Sequence, residues 1–181
     1  MKDLSMKELT TIALLGVLIL ISGSFKIPSP IAGGEFQLSA PIAVLICACF
    51  GFKRYIIAGI LASMLGMMLG MHNIINVLVQ MVFRIVAGGT MALLGTNLLT
   101  VAVSGPLGTF AARLVLWQVT GVNWMVLTAA AFPGMIFTAV AAGAFYKPAQ
   151  KLLTKVAFAK RLINNSKKRL SLGRAGARQG D

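Results

Sequence analysis

Between Leu9 and Tyr146 the chain carries only six charged side chains: Lys26, Glu35, Lys53, Arg54, Arg84 and Arg113. The uncharged runs between them have a length that a soluble core does not need. A hydrocarbon layer about 30 Å thick does need it, at about 17–25 apolar residues per helix. Overall 12% of residues are charged, roughly half of the about 25% usual in soluble domains. The expected fold is therefore an all-α membrane protein.

Breaks in these runs divide the region into six expected spans. The first covers about Leu9–Phe25 and stops at Lys26-Ile27-Pro28-Ser29-Pro30, because two prolines cannot continue a helix. A Pro/Gly loop through Glu35 leads to a short second span, Phe36–Phe50, that holds Pro41. Gly51-Phe52-Lys53-Arg54 reads as a basic turn. The third span is Tyr55–Met71, and the fourth, after His72-Asn73, is Ile74–Leu94. Gly95-Thr96-Asn97 is a weaker break before Leu98–Trp117. Gln118–Asn123 forms a polar turn before the sixth span, Trp124–Tyr146. The N-terminal segment imitates a secretion signal, with Lys2 and Lys7, an apolar run and then Ser22, Gly23 and Ser24. Its apolar run continues to Phe25 and further spans follow, so the first helix is read as uncleaved.

Charge sets the expected orientation. Of 17 Lys and Arg residues, 14 lie at Lys2, Lys7, Lys53, Arg54 or from Lys147 to Arg178. Under the positive-inside rule all three regions are cytosolic. Two spans separate the N-terminus from the Lys53-Arg54 turn and four separate that turn from the tail, so both termini fall on one side. The net charge of +13 thus belongs to topology, and nucleic-acid binding is not expected. Trp117 and Trp124 flank the last outer turn, where an aromatic belt would lie.

Two domains are expected: residues 1–146 as the six-helix transmembrane bundle and 147–181 as a basic cytosolic tail. In the tail Leu152, Val156, Ala159 and Ile163 share a helical face, with Lys151, Lys155 and Lys160 elsewhere. That pattern suits an amphipathic helix on an anionic leaflet, with disorder expected beyond Asn164.

Polar side chains inside the spans mark candidate function. Asn73, Asn76, Gln80 and Arg84 recur at helical spacing on one face of span four. Arg84 lies near the bilayer centre, where an arginine costs about 2.5–3.5 kcal/mol. It has two readings: a ligand contact, or a structural tie to helix carbonyls or to Glu35. Thr109, Arg113 and Trp117 share a face of span five. Arg113 either lines a cavity or snorkels toward headgroups. Glu35, Gln37 and Ser39 stand at the first outer loop and the start of span two. Together these residues outline an apolar cavity with convergent polar groups, the usual form of a small-molecule site.

Other features read as packing. Gly59 and Ser63, and Ala62, Gly66 and Gly70, form small-xxx-small rows on span three. The Met64, Met67, Met68 and Met71 group is adaptable filling. Cys47 and Cys49 point apart on a helix, and His72 is the single histidine, so no metal site is expected. No HExxH, Walker A or GxSxG motif and no intramembrane acid pair is present. The protein is expected not to be an enzyme and to need no cofactor. A small membrane enzyme subunit and a structural or regulatory membrane protein are the alternatives.

The stretch Ile27-Pro28-Ser29-Pro30-Ile31-Ala32-Gly33-Gly34-Glu35-Phe36-Gln37-Leu38-Ser39-Ala40-Pro41, with the size, six spans and basic ends, resembles the substrate-binding (S) component of energy-coupling factor transporters. The loop and the run Leu61–Arg84 look most like the α-ribazole transporter group, suppliers of a cobalamin precursor. The resemblance implies a multi-pass protein of the cell membrane that takes up a vitamin-like solute. It implies an outward-facing pocket built from the first outer loop and helices four to six. It also implies partners, a transmembrane coupling protein and two cytosolic ATPases. The family often carries an Ala-x-x-x-Ala contact motif in span one. Here Ala13 is followed by Val17, and Ala13 with Gly16 at i+3 are the best candidates for that face.

Overall fold

The computed structural model describes the backbone of residues 6–28 and 35–177 and the side chains of residues 6–25 and 38–157. In chain order it contains α1 (Met6–Ser24), β1 (Lys26–Pro28), β2 (Glu35–Gln37), α2 (Ser39–Phe50), α3 (Phe52–Met68), α4 (Ile74–Leu94), α5 (Leu98–Thr120) and α6 (Trp124–Ala177). The strands were not expected. β1 and β2 pair antiparallel, with Lys26 opposite Gln37 and Ile27 opposite Phe36. Where two chain segments leave helices side by side, their free amides and carbonyls satisfy each other. Alternation over three residues is too short a signal to read in sequence. Residues 29–34 of the expected Pro/Gly loop lie outside the described residues.

Four helices, α1, α4, α5 and the Trp124–Ala157 part of α6, are long and apolar enough to cross a membrane. α2 has 12 residues, about 18 Å at a rise of about 1.5 Å per residue, and α3 has 17. The helices are apolar on more than one face: Leu14, Met68, Leu93, Leu99 and Val140 are all at least 65% exposed. Such surfaces belong in lipid or against another protein rather than in water. This is a membrane protein.

The helix ends follow local chemistry. Gly51 turns the chain at φ +85°, so α3 begins at Phe52 and takes Lys53 and Arg54 into its first turn. It ends at Met68, three residues before the expected Met71. Gly70, at φ +68°, reverses the backbone, and the amides of Met71 and His72 both donate to the Gly66 carbonyl. α4 matches its expected limits. Asn73 caps it, its side chain accepting from the Asn76 amide at 2.8 Å, which satisfies one of the orphan donors of the first turn. α5 runs past Trp117 to Thr120, where Gly121 ends it in the left-handed region at φ +73°. Pro41 sits in the first turn of α2, where its missing amide costs little.

Contacts between small residues fix the direction of each helix. Glu8 pairs with Arg54 at 2.8 Å, so α1 and α3 start at the same end. Gly59 of α3 faces Arg84 of α4, and Gly88 faces Phe52 and Tyr55, which makes α3 and α4 antiparallel. Gly105 faces Thr138 and Gly143 faces Ala102, while the Tyr146 hydroxyl donates to the Thr96 carbonyl. α5 and α6 are therefore antiparallel too. The start of α1, the Lys53-Arg54 turn, the 95–97 turn and Tyr146 all lie at one end of the bundle. The turn around His72 lies at the other.

The core between them is built from Ile12, Leu15 and Ile19 of α1, Val44 and Cys47 of α2, Tyr55 and Ala58 of α3, Met91, Val101 and Ala142. At the seam of α4 and α5 the close neighbour of a glycine is backbone. A Cβ at Gly108 would stand 2.9 Å from the Phe83 carbonyl oxygen and 3.0 Å from the Ala87 Cβ. A backbone oxygen inside a helix cannot step aside. Gly108→Val is expected to destabilise the bundle by about 1–3 kcal/mol. Gly89→Ala, whose new Cβ meets nothing within 4 Å, is expected to be neutral or slightly stabilising. Thermal unfolding of both variants in detergent checks this, and equal melting temperatures would contradict it.

The chain forms two compact units, Met1–Tyr146 and Lys147–Asp181. In the second unit the helical backbone of α6 continues past Asn164 to Ala177.

Candidate functional site

The first unit encloses a cavity of about 800 Å³, within the about 300–1,000 Å³ typical of small-molecule sites. It runs from the His72 end to the middle of the bundle. Its walls come from α1 (Ile19, Leu20, Gly23, Ser24), α2 (Ser39, Ala40, Ala43), α3 with its turn (Ala62, Met71, His72), α4, α5 and α6. Apolar side chains such as Val79, Phe83, Leu116 and Leu127 dominate, and the charged lining residues are Arg84 and Arg113. Among the described residues the lining contains no Asp or Glu.

Arg84 sits at the middle of α4 and is only 3% exposed. Its Nη1 donates to Ser63 Oγ at 2.6 Å and approaches Met81 Sδ at 3.6 Å. Its Nη2 donates to Gln80 Oε1 at 3.0 Å. Ser63 Oγ in turn donates to the same Gln80 oxygen at 3.2 Å. These three partners orient the guanidinium but are all neutral, so none offsets its charge. Gly59 makes the arrangement possible. A Cβ there would fall 2.5 Å from Arg84 Cδ and 2.6 Å from Nε, so the arginine stem lies across bare α3 backbone.

Arg113 lines the same cavity from α5. Its Nε is sealed from solvent and has no hydrogen-bond partner. A buried donor left in this state costs about 1–3 kcal/mol, more when it is charged. Thr109, one turn away, is occupied locally by the Gly105 carbonyl at 3.0 Å.

The expected site residues are thus partly brought together. Ser39, Asn76, Gln80, Arg84, Thr109 and Arg113 line the cavity. Asn73 shares their face in sequence but is used as the α4 cap. Trp117 is 37% exposed and is not among the lining residues. The backbone of Glu35 and Gln37 lies on β2, while their side chains fall outside the described residues. Ala13 is exposed, whereas Gly16 is taken up by packing on α3, where its Cβ would meet the Ala58 carbonyl at 3.2 Å.

Two contributors had no functional signal in the sequence. Ser63 reads as a small packing residue but holds Arg84. His72 reads as a helix break, yet its ring lies against Gly66 and lines the cavity at the turn after α3. Among the described residues no three His, Cys, Asp or Glu side chains come together as a metal site would require. The geometry suits an apolar solute with an anionic group, met by the oriented guanidinium of Arg84 and by the unpartnered Arg113.

Comparison with known proteins gives one informative relative. The chain is 46% identical over 157 residues to Protein BioX of Lysinibacillus sphaericus, covering 87% of this chain and 95% of that protein. No family model matches the sequence, and no solved structure does.

Proposed function

The chain belongs to the BioX family, and we propose that it is the substrate-binding membrane subunit of an energy-coupling factor type transporter, taking up a carboxylate-bearing vitamin or vitamin precursor. The observation that carries this reading is the pair Arg84 and Arg113 in one apolar cavity whose described lining residues include no acid. A scaffold gains nothing from a second buried cation with an unsatisfied Nε. A solute that brings an anion satisfies it.

The chemistry narrows the choice of vitamin. α-Ribazole offers hydroxyls and a benzimidazole but no anion, so it leaves both guanidiniums unanswered. A carboxylate accepts paired N–H bonds from a guanidinium in matching geometry. We read the syllable Bio in the relative's name as biotin and direct the first test to biotin and its carboxylate precursors.

Topology and energy supply complete the proposal. The Lys53-Arg54 end faces the cytosol by the positive-inside rule, so the cavity, at the His72 end, loads from outside. This chain has no Walker A lysine motif, and a coupling protein with two ATPases would drive release. The subunit binds and releases its solute without covalent chemistry.

Calorimetry of detergent-purified protein against biotin, other water-soluble vitamins and α-ribazole tests the assignment. Saturable binding of a carboxylate vitamin and none of α-ribazole is expected. Uptake by cells should require co-expression of an ATPase module. Failure of every carboxylate to bind would overturn the reading.

A further inference from the structure

Resting on that reading, we infer that the solute is a diacid: a dianion whose two carboxylates are joined by an apolar body, one answering Arg84 and the other Arg113. The first ground is a charge count. Arg84 is held by Ser63, Gln80 and Met81, all neutral, and Arg113 has no partner at its buried Nε. Among the described side chains the acid is Glu8, which is spent on Arg54 at the end of the bundle and is not among the lining residues. Among the described residues neither cation therefore meets a countercharge, and each is costly alone in a low-dielectric wall. A monoanion answers one and leaves the other. A dianion neutralises the site.

The second ground is position. Gly108 of α5 stands level with Phe83 and Ala87 of α4. Arg113 is five residues further along α5, about 7.5 Å toward the His72 end at about 1.5 Å per residue. The two arginines thus leave their helices at different depths on neighbouring antiparallel walls, Arg84 deeper and Arg113 nearer the mouth. Two separated cations match two separated carboxylates better than one doubly charged head. The apolar lining, Val79, Phe83 and Leu116 among it, supplies the surface for the body between them.

The third ground is the difference between the two arginines. Arg84 is pre-oriented by its hydrogen bonds, so it can bind a carboxylate with little reordering. Arg113 is unsatisfied until a ligand arrives. The first should set affinity for any carboxylate, and the second should select diacids.

Straight-chain diacids from glutarate to sebacate are titrated into detergent-purified full-length protein, each beside its own monomethyl ester. An alkyl phosphate of matching length serves as a dianion with a single head. One chain length should bind best, at least about tenfold tighter than its monoester, a factor that corresponds to about 1.4 kcal/mol. Arg113→Gln should lower the affinity for that diacid at least about tenfold and remove most of its advantage over the monoester; a diacid preference that survives in the folded variant would overturn the inference. Thermal unfolding of the same sample in detergent, with a melting temperature no lower than that of the wild-type protein, shows that the variant is folded. Equal binding of diacid and monoester by the wild-type protein would overturn the inference while leaving the carboxylate reading intact. Preference for the alkyl phosphate over every diacid would also overturn it. Binding of none of these compounds, with none of the vitamin carboxylates, would remove both readings together.

Discussion

Replacing Arg84 with glutamine is expected to weaken carboxylate binding by at least about tenfold and to leave the bundle folded. A hydrogen bond to a charged group contributes about 1.5–3 kcal/mol, and about 1.4 kcal/mol is a factor of ten in Kd. The fold should survive because Arg84 is not needed by its partners. Ser63 Oγ already donates to Gln80 Oε1 at 3.2 Å, and that bond remains when the guanidinium is gone. Glutamine leaves no charge to be kept out of water, which relieves the desolvation cost of the guanidinium, so the melting temperature in detergent should stay level or rise. An arginine whose purpose is to tie helices together predicts the reverse pattern, a lower melting temperature with affinity intact. Calorimetry and thermal unfolding on the same sample separate the two. Unchanged affinity in a folded Arg84→Gln protein would take Arg84 out of the site.

Helical spacing alone places Asn76, Gln80 and Arg84 on one face of α4, and the cavity receives all three. The same spacing assigns Asn73 to that face, where capping takes priority because the first amides of a helix have no other partner. The start of α4 is legible because Asn73 is a strong capping signal, while its end at Gly95 rests on the weaker break, a glycine at positive φ. α3 is different. Its start and end depend on two glycines at positive φ, Gly51 and Gly70, and a glycine in sequence does not announce which conformation it takes. Ser63 was missed for a related reason. A small-residue row predicts that another helix comes close, but not which side chain will lie across it. That information belongs to α4, and only the register between α3 and α4 joins the two. The hairpin of β1 and β2 likewise arises from how α1 and α2 meet, not from any pattern in its own six residues.

That register gives the most discriminating stability experiment. A Cβ at Gly59 would fall 2.5 Å from Arg84 Cδ, too close for real contacts, and Arg84 is confined by Ser63 and Gln80. Gly59→Ala should therefore displace the guanidinium, reduce carboxylate binding at least about tenfold and destabilise the bundle by about 1–3 kcal/mol. Truncating the arginine removes the obstacle. In Arg84→Ala the site of the clash is vacant, and adding Gly59→Ala should then cost little or even gain from the better helix propensity of alanine. The four proteins of this double-mutant cycle should show a coupling of about 1–3 kcal/mol, as residues in contact do. Additive effects on unfolding would mean that Gly59 does not seat Arg84. A Gly59→Ala protein that binds as tightly as wild type would mean that the exact seat of the guanidinium is irrelevant to the ligand, which would count against Arg84 as the anion's anchor.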